Sequence, residues 1–497
     1  MDPRTASLAR VVRGEVSADP ADLERCGRDG SHVVGRPSVV FRPRDADDLA
    51  VAVRWAAVRR IPVVARGAGT SLDGESVPVR GGIVVDLAAW NEIREIDPIG
   101  RWARAGPGTP NRTLQRALAS HHLFFPPNPG SWAASTLGGN VATNASGPRS
   151  FRYGPTRTWI RAVDLVLGTG TRTRWGSLAA KRSVGPDLLS VFVGSEGTLG
   201  IATEITVRLA ARPPVRRGFA VPMTESASLG RVAIALASAP GTGLSAIEYL
   251  DPDCCASLGL LPTSLGCGSA GLLLEIEAGD PEEATVREDR VLRVARGAGV
   301  VGPPVRYADS DRLWDLRGRA SVALDRRVGE RLREDVAVPL RAIDRLCATI
   351  RRIARREAVP VYLFGHLGEG SLHPNFVVDP RSAAARRIRA DLLRASLALG
   401  GTISAEHGIG VLKAPFLTEE VGAPGLAVLR AIKRACDPAG ILNPGKLYPA
   451  RAAARSSRSP SGSGGRTARS GTPSGGPRPS SGRGPRHVVP RKRGARP

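Results

Sequence analysis

The sequence contains no run of about 18 consecutive apolar residues, which is the length that a membrane-spanning helix needs. Its opening stretch, MDPRTASLARVVRGEV, also lacks the apolar core of a signal peptide. No transmembrane segment is therefore expected. We predict a cytoplasmic protein, with peripheral attachment to a membrane as the alternative.

Cysteine is scarce as well. The chain has six cysteines, and no two of them form a C-x-x-C pair; they stand at positions 26, 254, 255, 267, 347 and 436. This spacing excludes a regular disulfide framework and the usual cysteine motif of an iron–sulfur cluster. It indicates a reducing compartment.

Acidic residues are few relative to basic ones, 46 against 71, and the formal net charge is +25. Twelve of the basic residues and no acidic residue lie in residues 451–497. That segment consists largely of Ser, Gly, Pro and Arg without apolar periodicity, which predicts a disordered tail. The rest of the chain has no basic helix with interleaved aromatics, so nucleic acid is not an expected partner. A tail that binds nucleic acid or an anionic membrane surface is the alternative.

Two patterns follow each other along the body of the chain. Residues 38–65 alternate a short β-like run, an amphipathic stretch opened by Asp45 and a second apolar run. Short β-like runs continue to about residue 210, and the Pro213–Pro214 pair then marks a boundary. After it, β-like runs alternate with helical stretches rich in Ala, Arg and Leu, which predicts an antiparallel sheet under helices. We predict an α+β protein divided into segments 1–32, 33–212, 213–450 and 451–497.

Two common nucleotide fingerprints are missing from the glycine-rich loop RGAGTSLDG, residues 66–74. Leu72 stands where the motif G-x-G-x-x-G needs its third glycine, and no G-K-[ST] follows. A standard NAD fold and a nucleotide triphosphate site are therefore disfavoured. However, a strand followed by a turn with successive backbone N–H groups, beside the Thr70 and Ser71 hydroxyls, is a physical means of holding a pyrophosphate. A plain tight turn is the alternative.

Two further loops have the same character, residues 126–154 and 193–207. Their glycines allow close approach of backbone to a ligand, and their short polar side chains offer hydrogen bonds. RGAGTS (66–71), TLGGNVATNASG (136–147) and GSEGTLGIATE (194–204) together resemble the FAD-binding domain of the vanillyl-alcohol-oxidase, or PCMH, type. The resemblance implies two α+β subdomains that hold an extended FAD. Thr70 stands where the covalent branch commonly has a histidine, which implies non-covalent FAD.

The resemblance also implies roles for single residues. The pyrophosphate is expected at Arg66, Gly67, Ala68, Gly69, Thr70 and Ser71. The flavin and ribityl chain are expected at Pro127, Thr136, Gly139, Asn140, Thr143, Asn144 and Gly147. Glu196, Gly200 and Ile201 are expected to meet the adenosine half or to close the domain.

A second cluster of candidate residues lies in FGHLGEGSLHPNF (364–376) and SAEHGIG (404–410). His366 and His373 bracket a turn after the β-like run VYLF, so a hairpin would bring the two imidazoles together. With Glu406 they form a mixed N/O set that suits a divalent ion with an open coordination position. Zinc fits first, and manganese and iron are alternatives. Hydrogen-bonded loop residues are the simpler interpretation.

These motifs, with DPAGILNPGKL (437–447), resemble the 2-hydroxyacid dehydrogenase branch, which includes D-lactate dehydrogenases and the flavin subunit of glycolate oxidase. The resemblance spans about residues 30–448. It implies His366, His373 and Glu406 as metal ligands, His407 as the base, and Arg317 as the catalytic partner of the substrate carboxylate. Ser321, Arg333, Asn375 and His407 are further expected substrate contacts. Glu369 stands where relatives commonly have Asp.

The implied reaction is FAD-dependent oxidation of a 2-hydroxy acid of the D-lactate or glycolate type. Metal and His407 would assist deprotonation of the hydroxyl, with hydride transfer to flavin. Reoxidation would use oxygen, a quinone, a cytochrome, an electron-transfer flavoprotein or a partner subunit, and a homodimer is one expected assembly. The alternative is a flavoprotein transferase similar to alkyl-dihydroxyacetone-phosphate synthases. Those enzymes typically have a run of histidines where this chain reads A-E-H-G, which favours the dehydrogenase.

Overall fold

The computed structural model describes residues 7–224, 228–259, 269–300, 302–307 and 310–449. The tail predicted over residues 451–497 and Cys267 lie outside these ranges. The other five cysteines are free thiols. Among the described residues, no helix is both long enough and apolar enough to cross a membrane.

The first sheet contains short strands of mixed direction. Its strands are β1 (Glu15–Ser17), β2 (Val39–Arg42), β3 (Val63–Arg66) and β4 (Ile83–Asp86), with helices α1 (Pro20–Cys26) and α2 (Ala46–Arg59). The order is β1-β2-β4-β3, with β2, β4 and β3 parallel to one another and β1 antiparallel to β2. Helix α2 begins at the predicted cap, where the Asp45 carboxylate accepts a hydrogen bond from the N–H of Asp48. Its buried side chains, among them Leu49 and Val53, pack on this sheet.

The second sheet is antiparallel and has the order β5-β6-β10-β8-β9. The strands of this region are β5 (Ile93–Asp97), β6 (Trp102–Ala105), β7 (Leu123–Phe124), β8 (Ile160–Val166), β9 (Arg172–Gly176), β10 (Ile201–Arg208) and β11 (Ala210–Ala211). Strand β7 pairs with β11. The helices are α3 (Asn111–Ala119), α4 (Leu137–Thr143), α5 (Ser150–Tyr153) and α6 (Leu188–Phe192).

The third sheet is also antiparallel. Its strands are β12 (Val215–Met223), β13 (Leu244–Leu250), β14 (Ala270–Ala278), β15 (Val305–Tyr307), β16 (Leu332–Arg333), β17 (Val336–Ala337), β18 (Val361–Gly365) and β19 (Ser371–Phe376). The order is β15-β12-β14-β13-β18-β19-β16, and β17 pairs separately with β19. The helices are α7 (Leu229–Ser238), α8 (Pro252–Leu258), α9 (Pro281–Gly297), α10 (Ser310–Gly318), α11 (Ala320–Val328), α12 (Ile343–Arg356), α13 (Ala383–Ala398) and α14 (Leu417–Cys436), which kinks at Gly422. The predicted α+β class, with an antiparallel sheet under helices, is confirmed.

Strands β18 and β19 form the hairpin that the histidine spacing predicts. They are antiparallel, with Phe364 opposite His373, and a single 3-10 turn at Leu367–Glu369 connects them. Because side chains alternate along a strand, Leu372 and Phe376 enter the apolar core while His373 and Asn375 point to the opposite face. That face belongs to the candidate site.

The end of the described chain returns to the first sheet. Leu442 forms a parallel bridge with Val63 of β3, and Ile441 and Leu442 are buried in the same core as α2. The Asn443 amide donates to the carbonyl oxygens of Glu75 and Glu196 at 2.8 and 2.6 Å. Segment 437–447 therefore ties the two glycine-rich loops of the first part of the chain to each other.

Candidate active site

One cavity of about 410 Å³ collects most of the predicted site residues. Its walls come from the loop after β3, the loop before and within α4, the segment that leads into β10, helices α10 and α11, and the β18–β19 hairpin with residues 406 and 407. Segments that are far apart in sequence thus line one space. The cavity therefore connects the glycine-rich loops with the histidine cluster.

The loop after β3 packs closely against the start of α4. A Cβ atom on Gly67 would lie 2.2 Å from Oγ1 of Thr136, so any larger residue would force the loop or the start of α4 to move. Gly69 adopts φ +68°, a conformation that favours glycine. Thr136 caps α4, because its Oγ1 accepts a 3.3 Å hydrogen bond from the N–H of Gly139. The backbone N–H groups of both segments are thereby brought beside one cavity wall.

Most residues that the sequence assigns to cofactor binding line this cavity. They are Arg66, Gly67, Ala68, Gly69, Thr70, Ser71, Thr136, Gly139, Asn140, Thr143, Glu196, Gly200 and Ile201. Nδ2 of Asn140 and Nε of Arg66 are buried without a hydrogen-bond partner in the protein. Unpaired buried donors at a cavity wall fit a ligand rich in acceptor oxygens, such as FAD.

Three predicted cofactor residues do not line the cavity and have backbone roles instead. The carbonyl oxygen of Pro127 accepts a 2.9 Å hydrogen bond from Asn111. Asn144 ends α4 in the left-handed conformation, and its Oδ1 accepts from the N–H of Arg157 at 2.9 Å. Gly147 has φ +152°, and a Cβ there would lie 2.2 Å from a backbone oxygen. These residues shape the loop that carries the lining residues.

The candidate metal ligands converge at one end of the cavity. Nε2 of His366 and Nε2 of His373 each lie 3.3 Å from Oε1 of Glu406. One ligand atom from each residue lies within 4.8 Å of the others, and both histidines are buried. Two imidazole nitrogens and a carboxylate oxygen at this separation fit a divalent ion that keeps an open coordination position.

Each histidine has a buried carboxylate behind it. Oε1 of Glu248 lies 2.5 Å from Nδ1 of His366, and Oδ1 of Asp335 lies 3.5 Å from Nδ1 of His373. Both acidic residues are 0 % exposed. A carboxylate at Nδ1 favours the proton on that nitrogen and leaves Nε2 free as a ligand. Both Nε2 atoms are the ones that face Glu406.

His407 and the substrate candidates surround this cluster. The ring of His407 stacks on that of His373 at 5.3 Å and 10°. Arg317, at the end of α10, donates through Nε to Oε2 of Glu248 at 2.8 Å, and its Nη2 forms an ion pair with the same oxygen at 2.8 Å. Its guanidinium carbon lies 4.7 Å from the centre of the Phe364 ring. Ser321, Arg333 and Asn375 also line the cavity. The structure thus brings all five predicted substrate contacts to one space.

Two family models match the chain. "FAD binding domain" matches residues 37–176, and "FAD linked oxidases, C-terminal domain" matches residues 212–447. The glycolate oxidase subunit GlcD of Bacillus subtilis (strain 168) is 33 % identical over 432 residues, covering 84 % of this chain and 90 % of the relative. The chain belongs to the FAD-linked oxidases.

Other comparisons agree with this family. This FAD-linked oxidase is 33 % identical to the D-lactate dehydrogenase of Archaeoglobus fulgidus over 416 residues, covering 82 % of the chain and 91 % of the relative. Its fold is similar to that of p-cresol methylhydroxylase, with a TM-score of 0.73 and 19 % identity, covering 87 % of this chain and 93 % of the other. The fold is also similar to that of an alkyldihydroxyacetonephosphate synthase, with a TM-score of 0.66 and 16 % identity, covering 86 % of this chain and 82 % of the other. At these identities the two structures support the fold alone.

Burial and neighbouring charges shift the pKa of several carboxyl groups in this FAD-linked oxidase. It raises the pKa of Glu196 to about 7, although the N–H groups of Ile409 and Gly410 donate to that carboxylate. Burial, with Asp73 nearby, also raises the pKa of Glu75 well above its ordinary value. Burial raises the pKa of Glu369 to about 7. The pKa of Glu406 is lowered, because the neighbouring histidines outweigh its burial.

Glu248 and Asp335 are site residues that the sequence reading missed. Glu248 stands in LSAIEYL (244–250), where an acidic residue interrupts an otherwise mostly apolar strand. A charged residue in a buried strand must be paired, and this was the available signal. Asp335 follows the predicted Arg333 by two positions, but its partners lie about 70 residues away at 405–407.

Proposed function

We propose that this FAD-linked oxidase oxidises a small 2-hydroxy acid of the D-lactate or glycolate type to the 2-oxo acid. The observation that carries the proposal is that Arg317, His407 and the cluster of His366, His373 and Glu406 face the same cavity as the FAD-binding loops. The names of the relatives, glycolate oxidase subunit and D-lactate dehydrogenase, support the same substrate class.

Arg317 binds the substrate carboxylate in this proposal. It uses Nε and Nη2 toward Glu248, and a guanidinium carries five N–H donors, so donors remain for a carboxylate. Asn375 and Ser321 line the same cavity, and both accept hydrogen bonds from Arg331, at 2.8 Å on Oδ1 of Asn375 and at 2.9 Å on Oγ of Ser321. Arg333, paired with Asp325, lies at the same cavity wall.

His407 accepts the hydroxyl proton. We assign this role to Nε2, which lies 3.8 Å from Oε1 of Glu406 and thus beside the candidate metal ligands. An imidazole nitrogen with a free lone pair can accept a proton, which suits a general base. The position of His407 depends on Asp335, which accepts a 3.0 Å hydrogen bond from its backbone N–H.

FAD, when bound, supplies the acceptor for the hydrogen and electron pair lost from the substrate carbon, and a divalent ion held by His366, His373 and Glu406 supplies a Lewis acid. The two histidines and Glu406 fit zinc first, with manganese or iron as alternatives. Thr70 in the first loop offers no nitrogen for a covalent bond to flavin, so we propose non-covalent FAD.

We also propose the domain division expected from the sequence. Residues 33–212 would form the FAD-binding domain and residues 213–450 the substrate domain, with 437–447 returning to pack on the first. The electron acceptor would be oxygen, a quinone, a cytochrome, an electron-transfer flavoprotein or a partner subunit. A transferase of the alkyl-dihydroxyacetone-phosphate synthase type is the second candidate, but the sequence A-E-H-G at 405–408 argues against it.

Anaerobic titration of the purified protein with D- and L-2-hydroxy acids tests the proposal. At least one of these acids should bleach the flavin absorbance. His407→Ala should retain FAD, but the rate at which substrate bleaches the flavin should fall by about a hundredfold or more. His121→Ala, which changes an exposed histidine, is the matched control. Bleaching of His407→Ala at the wild-type rate would remove His407 from the mechanism, and a protein without flavin would refute the proposal.

A further inference from the structure

We propose that Glu248 is a positioning residue that fixes two groups at once: the metal-binding nitrogen of His366 and the carboxylate-binding edge of Arg317. This inference rests on the proposed function, and it assigns a role to a residue on β13 that lies outside every sequence motif of the site.

Glu248 is completely buried in a sheet that is otherwise largely apolar. Its strand neighbours Ile247 and Tyr249 belong to the main core, whereas Glu248 points to the other face of β13, as does Leu250. A buried carboxylate is costly unless several donors neutralise it. The donors here come from two separate elements, His366 after β18 and Arg317 at the end of α10.

The two carboxylate oxygens have different partners. Oε1 lies 2.5 Å from Nδ1 of His366, so a carboxylate at this position places the proton on Nδ1. Nε2 of the same ring, 3.3 Å from Oε1 of Glu406, is then the nitrogen available to a metal ion. The tautomer required of a metal ligand is therefore set by Glu248.

Oε2 of Glu248 binds the guanidinium of Arg317. It accepts a 2.8 Å hydrogen bond from Nε and forms an ion pair with Nη2 at 2.8 Å, and the guanidinium carbon lies 4.7 Å from the centre of the Phe364 ring. With the Nε–Nη2 edge held in this way, the edge formed by Nη1 and Nη2 is the one that can fork to a substrate carboxylate. One side chain thus orients the anchor for the substrate and the ligand for the metal relative to each other.

Glu248→Gln cannot keep both roles. A glutamine amide has one acceptor oxygen and one NH₂ donor. If the oxygen keeps Arg317, the NH₂ faces Nδ1 of His366 and favours the tautomer with the proton on Nε2, which opposes metal binding. If the oxygen keeps His366, the NH₂ faces the donors of Arg317 and repels them.

The test uses the full-length protein with FAD bound, after removal of metal by chelation. The dissociation constant of Zn²⁺ is measured by competition with a chromogenic chelator, and KM and kcat are measured for the preferred 2-hydroxy acid after metal is restored. We expect Glu248→Gln to weaken Zn²⁺ binding by about 10- to 100-fold, to raise KM, or to do both. Arg317→Ala should raise KM while it changes the Zn²⁺ dissociation constant by less than about threefold, because the His366–Glu248 pair remains.

Glu277→Gln is the matched control. Glu277 is a buried carboxylate on the neighbouring strand β14, paired with Arg152 and Tyr153 away from the cavity. The Glu277→Gln substitution should leave the Zn²⁺ dissociation constant and KM unchanged, even if it lowers the melting temperature. If Glu248→Gln does not fold, Glu248→Asp replaces it, since the shorter side chain does not reach both partners.

The outcomes separate this inference from the proposed function. Wild-type values of both the Zn²⁺ dissociation constant and KM in the folded Glu248 variant overturn the positioning role alone. Equal effects of Glu248→Gln and Glu277→Gln overturn it as well, because they indicate a general loss of stability. A wild-type protein that binds no divalent ion overturns both the metal role in the proposed function and this inference.

Discussion

Asp335 holds the backbone of His407, since its Oδ2 accepts a 3.0 Å hydrogen bond from the His407 N–H. The same oxygen accepts from the N–H groups of residues 405 and 406, at 2.9 and 2.8 Å. Three successive N–H groups around one oxygen form a concave anion site in which the carboxylate is part of the protein. Asp335 therefore determines where the loop with Glu406 and His407 lies.

Replacing Asp335 by Ala should destabilise the protein and abolish substrate oxidation. The change leaves three N–H groups without their acceptor, and each unsatisfied buried donor costs about 1–3 kcal/mol. We expect a loss of about 3 kcal/mol or more in the free energy of unfolding, measured by urea denaturation. Asp289→Ala, at an exposed position on α9, should change it by less than about 0.5 kcal/mol. A stable, fully active Asp335→Ala protein would contradict the role of this carboxylate.

The sequence predicts those parts of the site that depend on local geometry. The turn between His366 and His373 implies a hairpin, and β18 and β19 form it. Glycine-rich loops imply close backbone approach, and Gly67 meets Thr136 in this way. In both cases a short stretch carries all the information that the prediction needs.

Other parts of the site depend on contacts between distant segments. Glu248 and His366 are 118 residues apart, and no local pattern relates them. The apolar run around Val191 and Phe192 resembles a strand, but it ends helix α6, where Asp187 caps the first turn. Tertiary packing and a polar cap outweigh β-propensity at this position. Asn144 has a short polar side chain and Gly147 has none, and both residue types suit a cofactor site, but turn geometry determines their positions.

Gly67→Ala should weaken FAD binding. The new Cβ would lie 2.2 Å from Oγ1 of Thr136, so the loop or the start of α4 has to move. Overpacking of this kind costs about 1–3 kcal/mol, and about 1.4 kcal/mol corresponds to a tenfold change in affinity. We expect the FAD dissociation constant, measured by flavin fluorescence, to rise about tenfold or more.

Gly297→Ala is the control for the glycine variant. Gly297 is the last residue of α9, and a Cβ there has no heavy atom within 4 Å. Alanine should leave FAD binding unchanged and leave stability equal or slightly higher, because alanine favours the helix. Equal FAD affinity in Gly67→Ala and wild type would show that the pyrophosphate does not lie at this loop.

Metal removal should inactivate the enzyme. Nε2 of His366 and Nε2 of His373 each lie 3.3 Å from Oε1 of Glu406, and these ligand atoms suit zinc. Chelation should remove about one metal ion per chain by elemental analysis and abolish flavin bleaching by substrate, and Zn²⁺ or Mn²⁺ should restore it. His373→Ala should behave as the chelated protein does, while His122→Ala should retain metal. A metal-free preparation with full activity would refute the ligand assignment.

Glu196 should make stability depend on pH. Burial raises its pKa to about 7, so between about pH 4.5 and 7 the folded protein binds more protons at this residue than the unfolded protein does. The free energy of unfolding therefore decreases as pH rises through this window. Glutamine cannot ionise, so the free energy of unfolding of a Glu196→Gln variant does not decrease in this way. The free energy of unfolding of Glu196→Gln, taken relative to that of wild type, should therefore rise by roughly 3 kcal/mol between pH 4.5 and 8, since one pKa unit corresponds to about 1.4 kcal/mol.

The matched control is Glu282→Gln, at an exposed position in the first turn of α9, where the stability difference from wild type should not change with pH. Glutamine at position 196 offers one acceptor oxygen to the N–H groups of Ile409 and Gly410, where the glutamic acid side chain offers two, so the variant starts from lower stability at pH 4.5. The slope with pH, rather than the absolute value, therefore reports the pKa. A difference between Glu196→Gln and wild type that stays constant from pH 4.5 to 8 would mean that Glu196 ionises normally in the folded protein. Its carboxylate would then be charged when it holds the turn after His407.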